Sequence, residues 1–84
     1  MQVHVFDIRA TSSSLQYTYF DVLVDSNNKD RVKEFAKIYL SSLGINSDRI
    51  NQLQCNFCHS EIANPEVITT IEQYGYCIIP LQIN

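Results

Sequence analysis

The segment CNFCHSE, residues 55–61, contains the densest group of side chains in this chain that could do chemistry. Two residues separate Cys55 from Cys58, and His59 follows directly. The Cys-x-x-Cys-His spacing is typical of covalent haem attachment, and Cys-x-x-Cys alone is found in zinc sites and in dithiol redox pairs. Three kinds of chemistry are therefore open for these residues: haem attachment, metal binding and thiol chemistry.

Haem attachment is not expected from the rest of the sequence. The sole methionine is Met1, and the second histidine is His4 within a strand-like segment, so a suitable second axial ligand is lacking. The first residues alternate like a strand and do not form an export signal, whereas covalent haem attachment takes place outside the cytoplasm. We therefore set haem aside as a cofactor.

A zinc site stays open, but the sequence provides an incomplete set of ligands. A closed structural zinc site has four protein ligands. Cys55, Cys58 and His59 are the candidate metal ligands, and a further one would have to be His4 or Cys77. No second Cys-x-x-Cys pair is present in the sequence. Zinc is thus the one metal cofactor that this segment could hold.

Thiol chemistry would need a cysteine whose thiolate is stabilised by its surroundings. His59 could do this for Cys58, although adjacent side chains often point apart. Ser60 and Glu61 complete the candidate functional segment, which we expect to be a turn between a strand and a helix. The competing interpretation is structural: reduced cysteine is among the most buried residue types, and Cys55 fits an inward strand face.

The elements that would position this segment begin with a β-hairpin. Residues 2–9 and 16–25 are rich in Val, Ile, Tyr and Phe, and a polar stretch separates them. A symmetric loop would place Val3 opposite Val22 in the hairpin. A one-residue shift of this register would move every side chain to the other face of the sheet.

Two helices and two further strands follow the hairpin. Apolar residues recur at helical spacing in residues 26–44, which predicts an amphipathic helix. A weaker strand is predicted over residues 49–57 and a second helix over 64–75, with an Asn-Pro start and a glycine end. The last strand covers residues 76–84, and Pro80 indicates an edge strand because proline lacks an amide donor.

The predicted order is β-β-α-β-α-β, which indicates a single α+β domain over residues 1–84. We expect two layers, a four-stranded mixed sheet with both helices on one face. The uncovered face would then carry Phe6, Ile8, Tyr17 and Tyr19. An apolar patch of this size is typical of an interaction surface, so these residues are the candidate face of a homodimer.

Composition excludes several classes of partner. The formal net charge is −3 and the isoelectric point is near 5.1, whereas nucleic acids and anionic membranes select clustered Lys and Arg. No apolar run approaches the roughly 20 residues of a membrane-spanning helix, and no signal peptide is recognisable. We expect a cytoplasmic protein with three reduced cysteines that binds neither nucleic acid nor membranes.

The sequence resembles a family of small bacterial proteins known as domain of unknown function number two thousand and twenty-four. The stretches that carry the resemblance are MQVHVFD, FDVLVD, EFAKIYLSSLG and CNFCHSEIANPEVITTIEQYGYCI. The resemblance spans nearly the whole chain and implies an α+β fold, but no assigned activity. It marks as pattern residues Cys55, Cys58, His59, Ser60 and Glu61. Cys77 lies outside that pattern, which weakens a three-cysteine zinc site.

Two functional hypotheses remain from the sequence. In the first, the Cys-x-x-Cys-His turn is the functional surface of an uncharacterised small protein and acts by metal binding or thiol chemistry. In the alternative, the protein is a non-enzymatic interaction module that dimerises, and the turn is purely structural. No phosphate loop, nucleophile elbow or paired-carboxylate site is recognisable in the sequence, which argues against an enzyme.

Overall fold

The structure is a computed structural model and describes residues 1–83. Its elements are β1 (Gln2–Ser12), β2 (Tyr17–Val24), α1 (Val32–Ser42), β3 (Ile50–Ile62), α2 (Pro65–Tyr74) and β4 (Cys77–Ile83). Short 3₁₀ segments at Ser26–Arg31 and Ser47–Arg49 precede α1 and β3. The predicted element order and the α+β class are confirmed. The predicted last strand ends at residue 84, which lies outside the described residues.

The four strands form one sheet in the order β3-β1-β2-β4, and every neighbouring pair is antiparallel. The mixed sheet expected from the sequence is therefore wrong. Helix α1 does connect two strands that run in the same direction, β2 and β3, but β1 lies between them. No parallel pair is adjacent as a result. Strand β4 lies at an edge, as Pro80 indicates, and its pairing with β2 is irregular just after this proline.

The two helices pack on opposite faces of the sheet, which corrects the expectation that both lie on one face. The face that α1 covers, here the α1 face, carries a cluster of Ile8, Ala10, Phe20, Val22, Val24, Val32, Phe35, Ala36, Leu40 and Ile45. The opposite α2 face carries a smaller cluster of Val3, Val5, Leu23 and Ile71, with Ala63, Val67 and Cys77 beside it. Apolar residues on both faces of the hairpin strands require a cover on each side.

The hairpin register explains how the side chains are divided between the faces. Val5 pairs with Leu23 and Ile8 pairs with Phe20, so the expected pairing of Val3 with Val22 is wrong. Strand β1 continues to Ser12, three residues beyond the predicted end, and the turn is correspondingly shorter. Leu15 closes this turn in the left-handed region at φ 63°. Even-numbered residues of β1 and β2 therefore share the α1 face, and odd-numbered residues share the α2 face.

Helix α2 follows the local signals that predict it. The side chain of Asn64 accepts a hydrogen bond from the backbone N–H of Val67 at 3.0 Å, with proline in the first turn. Gly75 ends the helix at φ 90°, a left-handed conformation that suits glycine. No helix within residues 1–83 is long and apolar enough to cross a membrane.

Candidate functional site on strand β3

The CNFCHSE segment lies inside strand β3 and does not form a turn. Strand β3 covers Ile50–Ile62, so the predicted strand end at residue 57 and the predicted Cys-x-x-Cys-His turn are both wrong. Strand β3 is an edge strand that pairs with β1 alone, and the pairing continues as far as Gln2. The full length of β1 supplies backbone hydrogen-bond partners, which keep the segment extended.

A β-bulge interrupts this pairing at Cys58. Phe6 pairs with Phe57 and the neighbouring Val5 pairs with His59, so Cys58 is an additional residue in β3. A bulge breaks the regular alternation of side chains and can redirect them. The bulge is therefore the feature that arranges the side chains of the candidate segment.

The bulge distributes the pattern residues between the two faces of the sheet. Before it, Cys55 pairs with Ile8 and packs against the α1 cluster. After it, His59 and Glu61 pair with odd-numbered residues of β1 and lie on the α2 face, while Ser60 lies on the α1 face. The motif thus places Cys55 and Ser60 on the α1 face and His59 and Glu61 on the α2 face.

Cys58, His59 and Glu61 form a continuous series of contacts. The Sγ atom of Cys58 lies 3.2 Å from Nδ1 of His59, and Nε2 of the same ring lies 3.4 Å from Oε1 of Glu61. The Nε2–Oε1 separation is an electrostatic contact, and a neutral ring with its proton on Nε2 leaves Nδ1 free to accept the proton of the thiol. A nucleophile, a base and an orienting carboxylate in this order are the parts of an activated thiol site.

A groove of about 280 Å³ lies beside this group on the α2 face. The groove is lined by seven apolar residues, Val3, Val5, Leu23, Ile62, Ala63, Val67 and Ile79. Its four polar lining residues are Asp21 on β2, His59 and Glu61 on β3, and Asn64 at the start of α2. Cys58 is not a lining residue, but His59 contacts it and lines the groove. The imidazole ring of His59 therefore lies between the Cys58 thiol and the groove.

The groove has an acidic character that the strand pairing imposes. Asp21 lies directly opposite Asp7 in the hairpin, an arrangement of like charges that destabilises a sheet. Burial raises the pKa of Asp21, repulsion from Asp7 and Glu61 adds to this, and His59 acts in the opposite direction. The guanidinium of Arg9 contacts Asp7 at 3.6 Å and does not line the groove. Asp21 is thus a strained carboxylate at the edge of the groove.

Cys55 and Cys58 are not arranged as a dithiol pair. A strand rises about 3.3 Å per residue, which puts their Cα atoms roughly 10 Å apart. A disulfide needs Cα atoms closer than about 7 Å. All three cysteines are free, and burial raises the pKa of the Cys55 thiol. Among residues 1–83, no group of three or more His, Cys, Asp or Glu side chains is placed to hold one metal ion. Of the candidate ligands, Cys58 and His59 contact each other while Cys55 packs against the α1 cluster, and zinc binding stays a prediction.

Ser60 contacts His4, which the sequence marks as a possible further metal ligand and which is buried in the structure. The Oγ atom of Ser60 lies 2.8 Å from Nδ1 of His4, and the Oγ atom of Ser26 lies 3.0 Å from Nε2 of the same ring. His4 is only 8% exposed and pairs with Val24. This arrangement joins β3, β1 and the 3₁₀ segment before α1, which indicates a structural role for Ser60.

The four residues of the candidate dimer face do not share one surface. Ile8 is completely buried in the α1 cluster, and Phe6 packs beside it, because the observed register turns both towards α1. Tyr17 and Tyr19 lie on the α2 face, where the ring of Tyr19 is covered by the guanidinium of Arg9 at 4.8 Å. These four residues therefore do not form the single apolar face expected from the sequence, and homodimerisation stays a prediction.

The fold and the site define a class: a small α+β domain whose antiparallel sheet carries one helix on each face. The family model described as a domain of unknown function, DUF2024, matches residues 1–81, and the chain belongs to this family. The chain is also similar to a solved structure, the NMR structure of protein NE1680 from Nitrosomonas europaea. The two are 38% identical with a TM-score of 0.75, and the match covers 98% of this chain and 96% of the other. No curated protein matches the chain.

Proposed function

We propose that this protein uses Cys58 as a reactive thiol that exchanges with small disulfides. In this proposal His59 accepts the thiol proton, and Glu61 orients the histidine ring. The observation that carries the proposal is the bulge in β3, because it allows the adjacent side chains of Cys58 and His59 to meet at 3.2 Å. Bulges are over-represented next to active sites, where they re-aim a side chain.

The exchange balances without any group beyond the disulfide itself. The sulfur of Cys58 attacks one sulfur of the disulfide, a new S–S bond forms and the original S–S bond breaks. The leaving sulfur departs with the electron pair of the broken bond. It takes up the proton that His59 removed from Cys58, so the products are a mixed disulfide on the protein and one free thiol.

The separation of the two cysteines in β3 supports a one-cysteine mechanism. Cys55 lies too far along the strand to attack the mixed disulfide on Cys58 without disrupting the pairing with β1. The mixed disulfide therefore persists until a second thiol molecule attacks it and restores Cys58. Such a protein would respond to the ratio of small thiols to small disulfides around it.

The proposal is tested by the rate at which Cys58 reacts with dithiodipyridine, a neutral disulfide that releases a thione absorbing in the near ultraviolet. Cys58 is exposed, whereas Cys55 and Cys77 are half-buried and burial raises the pKa of both, so peptide mapping should show the first mixed disulfide on Cys58. A general base contributes about a hundredfold or more in an enclosed site, and we expect about tenfold here because the ring is 54% exposed.

Two variants separate proton transfer from mere exposure of the thiol. His59→Gln should slow the reaction of Cys58 about tenfold, because the amide is not basic enough to accept the proton. Glu61→Gln should slow it by a smaller factor, since it weakens the orientation of the ring and not the base itself. Unchanged rates in His59→Gln, with circular dichroism confirming the fold, would exclude His59 as the base and overturn the proposal.

A further inference from the structure

The groove beside Cys58 has the size and the lining of a site for a small molecule. Its volume of about 280 Å³ is just below the roughly 300–1,000 Å³ of typical ligand pockets, which suits a ligand of a few heavy atoms. Val5 and Leu23 form part of its apolar floor, and Val67 contributes from α2. A short aliphatic segment of a ligand would be removed from water against these side chains.

The charges around the groove have one predominant sign. Two carboxylates, Asp21 and Glu61, line it, and no lysine or arginine is among the described lining residues. The nearby Arg9 is held by the carboxylate of Asp7 and by the ring of Tyr19. A cation entering the groove would therefore meet Asp21, which no lysine or arginine within residues 1–83 contacts, and Glu61, whose other neighbour is the ring of His59.

The state of Asp21 adds to this argument. Its carboxylate is partly desolvated and faces Asp7, and both effects raise the pKa of Asp21. An ammonium group beside Asp21 would relieve the repulsion between the two aspartates. An anionic group in the same position would increase it, so the groove distinguishes ligands by charge.

We infer that the groove selects small disulfides with a short aliphatic stem and a primary ammonium group as the reaction partners of Cys58. The ammonium group lies at Asp21 and Glu61, the stem lies on Val5 and Leu23, and the disulfide reaches the thiol past His59. This inference rests on the proposed thiol exchange and adds its substrate class. The exchange itself follows the balanced step given above, with the released aminothiol carrying the proton.

The test compares three disulfides that differ mainly in charge: cystamine, bis-hydroxyethyl disulfide and dithiodipropionate. The rate of mixed-disulfide formation at Cys58 is divided by the rate of each compound with free mercaptoethanol, which removes differences in intrinsic reactivity. Because the ammonium group of cystamine would lie near two carboxylates, we expect its normalised rate to exceed that of dithiodipropionate by about tenfold or more. The neutral compound should fall between them, and high salt should reduce the preference.

A matched pair of variants assigns the preference to the groove. Asp21→Asn should lower the cation preference about threefold, since it removes one of the two lining carboxylates. Asp48→Asn makes the same change of net charge in the 3₁₀ segment before β3, at the far end of that strand from His59. This control should leave the preference unchanged.

The possible results distinguish a failure of the charge selection from a failure of the proposed thiol exchange. Equal normalised rates for the three disulfides, with Cys58 still reactive, would overturn the charge selection and leave the thiol exchange intact. An equal loss of preference in both aspartate variants would also overturn it, because net charge and not the groove would be responsible. Failure of Cys58 to react with any of the three compounds would remove the proposed function itself.

Discussion

Replacing His4 by alanine should destabilise the protein more than most substitutions of exposed residues do, although this histidine lies outside the proposed site. The ring is buried and contacts Ser60 on β3 and Ser26 before α1. Each of these hydrogen bonds contributes about 1 kcal/mol to the free energy of unfolding. The lost packing of the ring adds about 1–2 kcal/mol. The expected loss for His4→Ala is therefore about 3–4 kcal/mol, a large part of the stability of so small a domain.

Urea unfolding followed by circular dichroism measures this loss. Ser60→Ala should cost about 1 kcal/mol, and the double variant should show a coupling energy of about 0.5–1 kcal/mol between the two side chains. Ser13→Ala, in the exposed hairpin turn, is the control and should change stability by less than about 0.5 kcal/mol. A loss below about 1 kcal/mol for His4→Ala, or no coupling to Ser60, would refute the proposed link between β3 and the 3₁₀ segment before α1.

Two further predictions concern the cysteines and Asp21. Mild oxidation of the native protein should not link Cys55 to Cys58, because β3 separates them by roughly 10 Å; an intramolecular disulfide found by peptide mapping in folded protein would contradict the extended strand. Because the pKa of Asp21 is raised on folding, the folded chain binds this proton more tightly than the unfolded chain, and stability falls as pH rises from about 4 through the raised pKa. The Asp21→Asn variant lacks this loss, so its free energy of unfolding relative to that of the wild type should increase from acidic to neutral pH. If urea unfolding gives the same difference between variant and wild type at both pH values, Asp21 is not strained.

The element order and the limits of α2 could be predicted because they depend on local signals. Asn64 caps the helix and Gly75 ends it through contacts within a few residues of each. Helical periodicity likewise indicates the apolar stripe of α1, with Phe35 and Leu40 buried. Family resemblance, confirmed by the match over residues 1–81, adds the fold class but no chemistry.

The arrangement of the faces could not be predicted, because it depends on strand register. β1 carries buried residues of both parities, such as Val5 and Ile8, so either face could be assigned to the core. Three additional strand residues after Arg9 shorten the turn and reverse the pairing parity. The exposed face inferred from the wrong register was then wrong as well. The helix positions, inferred from a two-layer arrangement, were wrong because both faces of the hairpin carry buried apolar residues.

The bulge at Cys58 has no local signature, since it is defined by the pairing of β3 with β1. One signal was present in the sequence: Leu53, Cys55 and Phe57 alternate, and this apolar alternation does not continue at His59. A change in the alternation inside a long strand is typical of a bulge. With the bulge in place, the motif lies within a strand and not in a turn, and the Cys58 thiol lies beside the ring of His59.

The most direct test of the central claim compares the reaction rate of Cys58 in the folded protein with its rate in the urea-unfolded chain at the same neutral pH. The unfolded chain keeps the neighbouring His59 in the sequence but loses the bulge that sets the contact between Sγ and Nδ1. The account predicts that folding accelerates the reaction with dithiodipyridine about tenfold, and that His59→Gln abolishes this acceleration. A folded rate equal to or below the unfolded rate would show that the bulge presents an ordinary exposed cysteine.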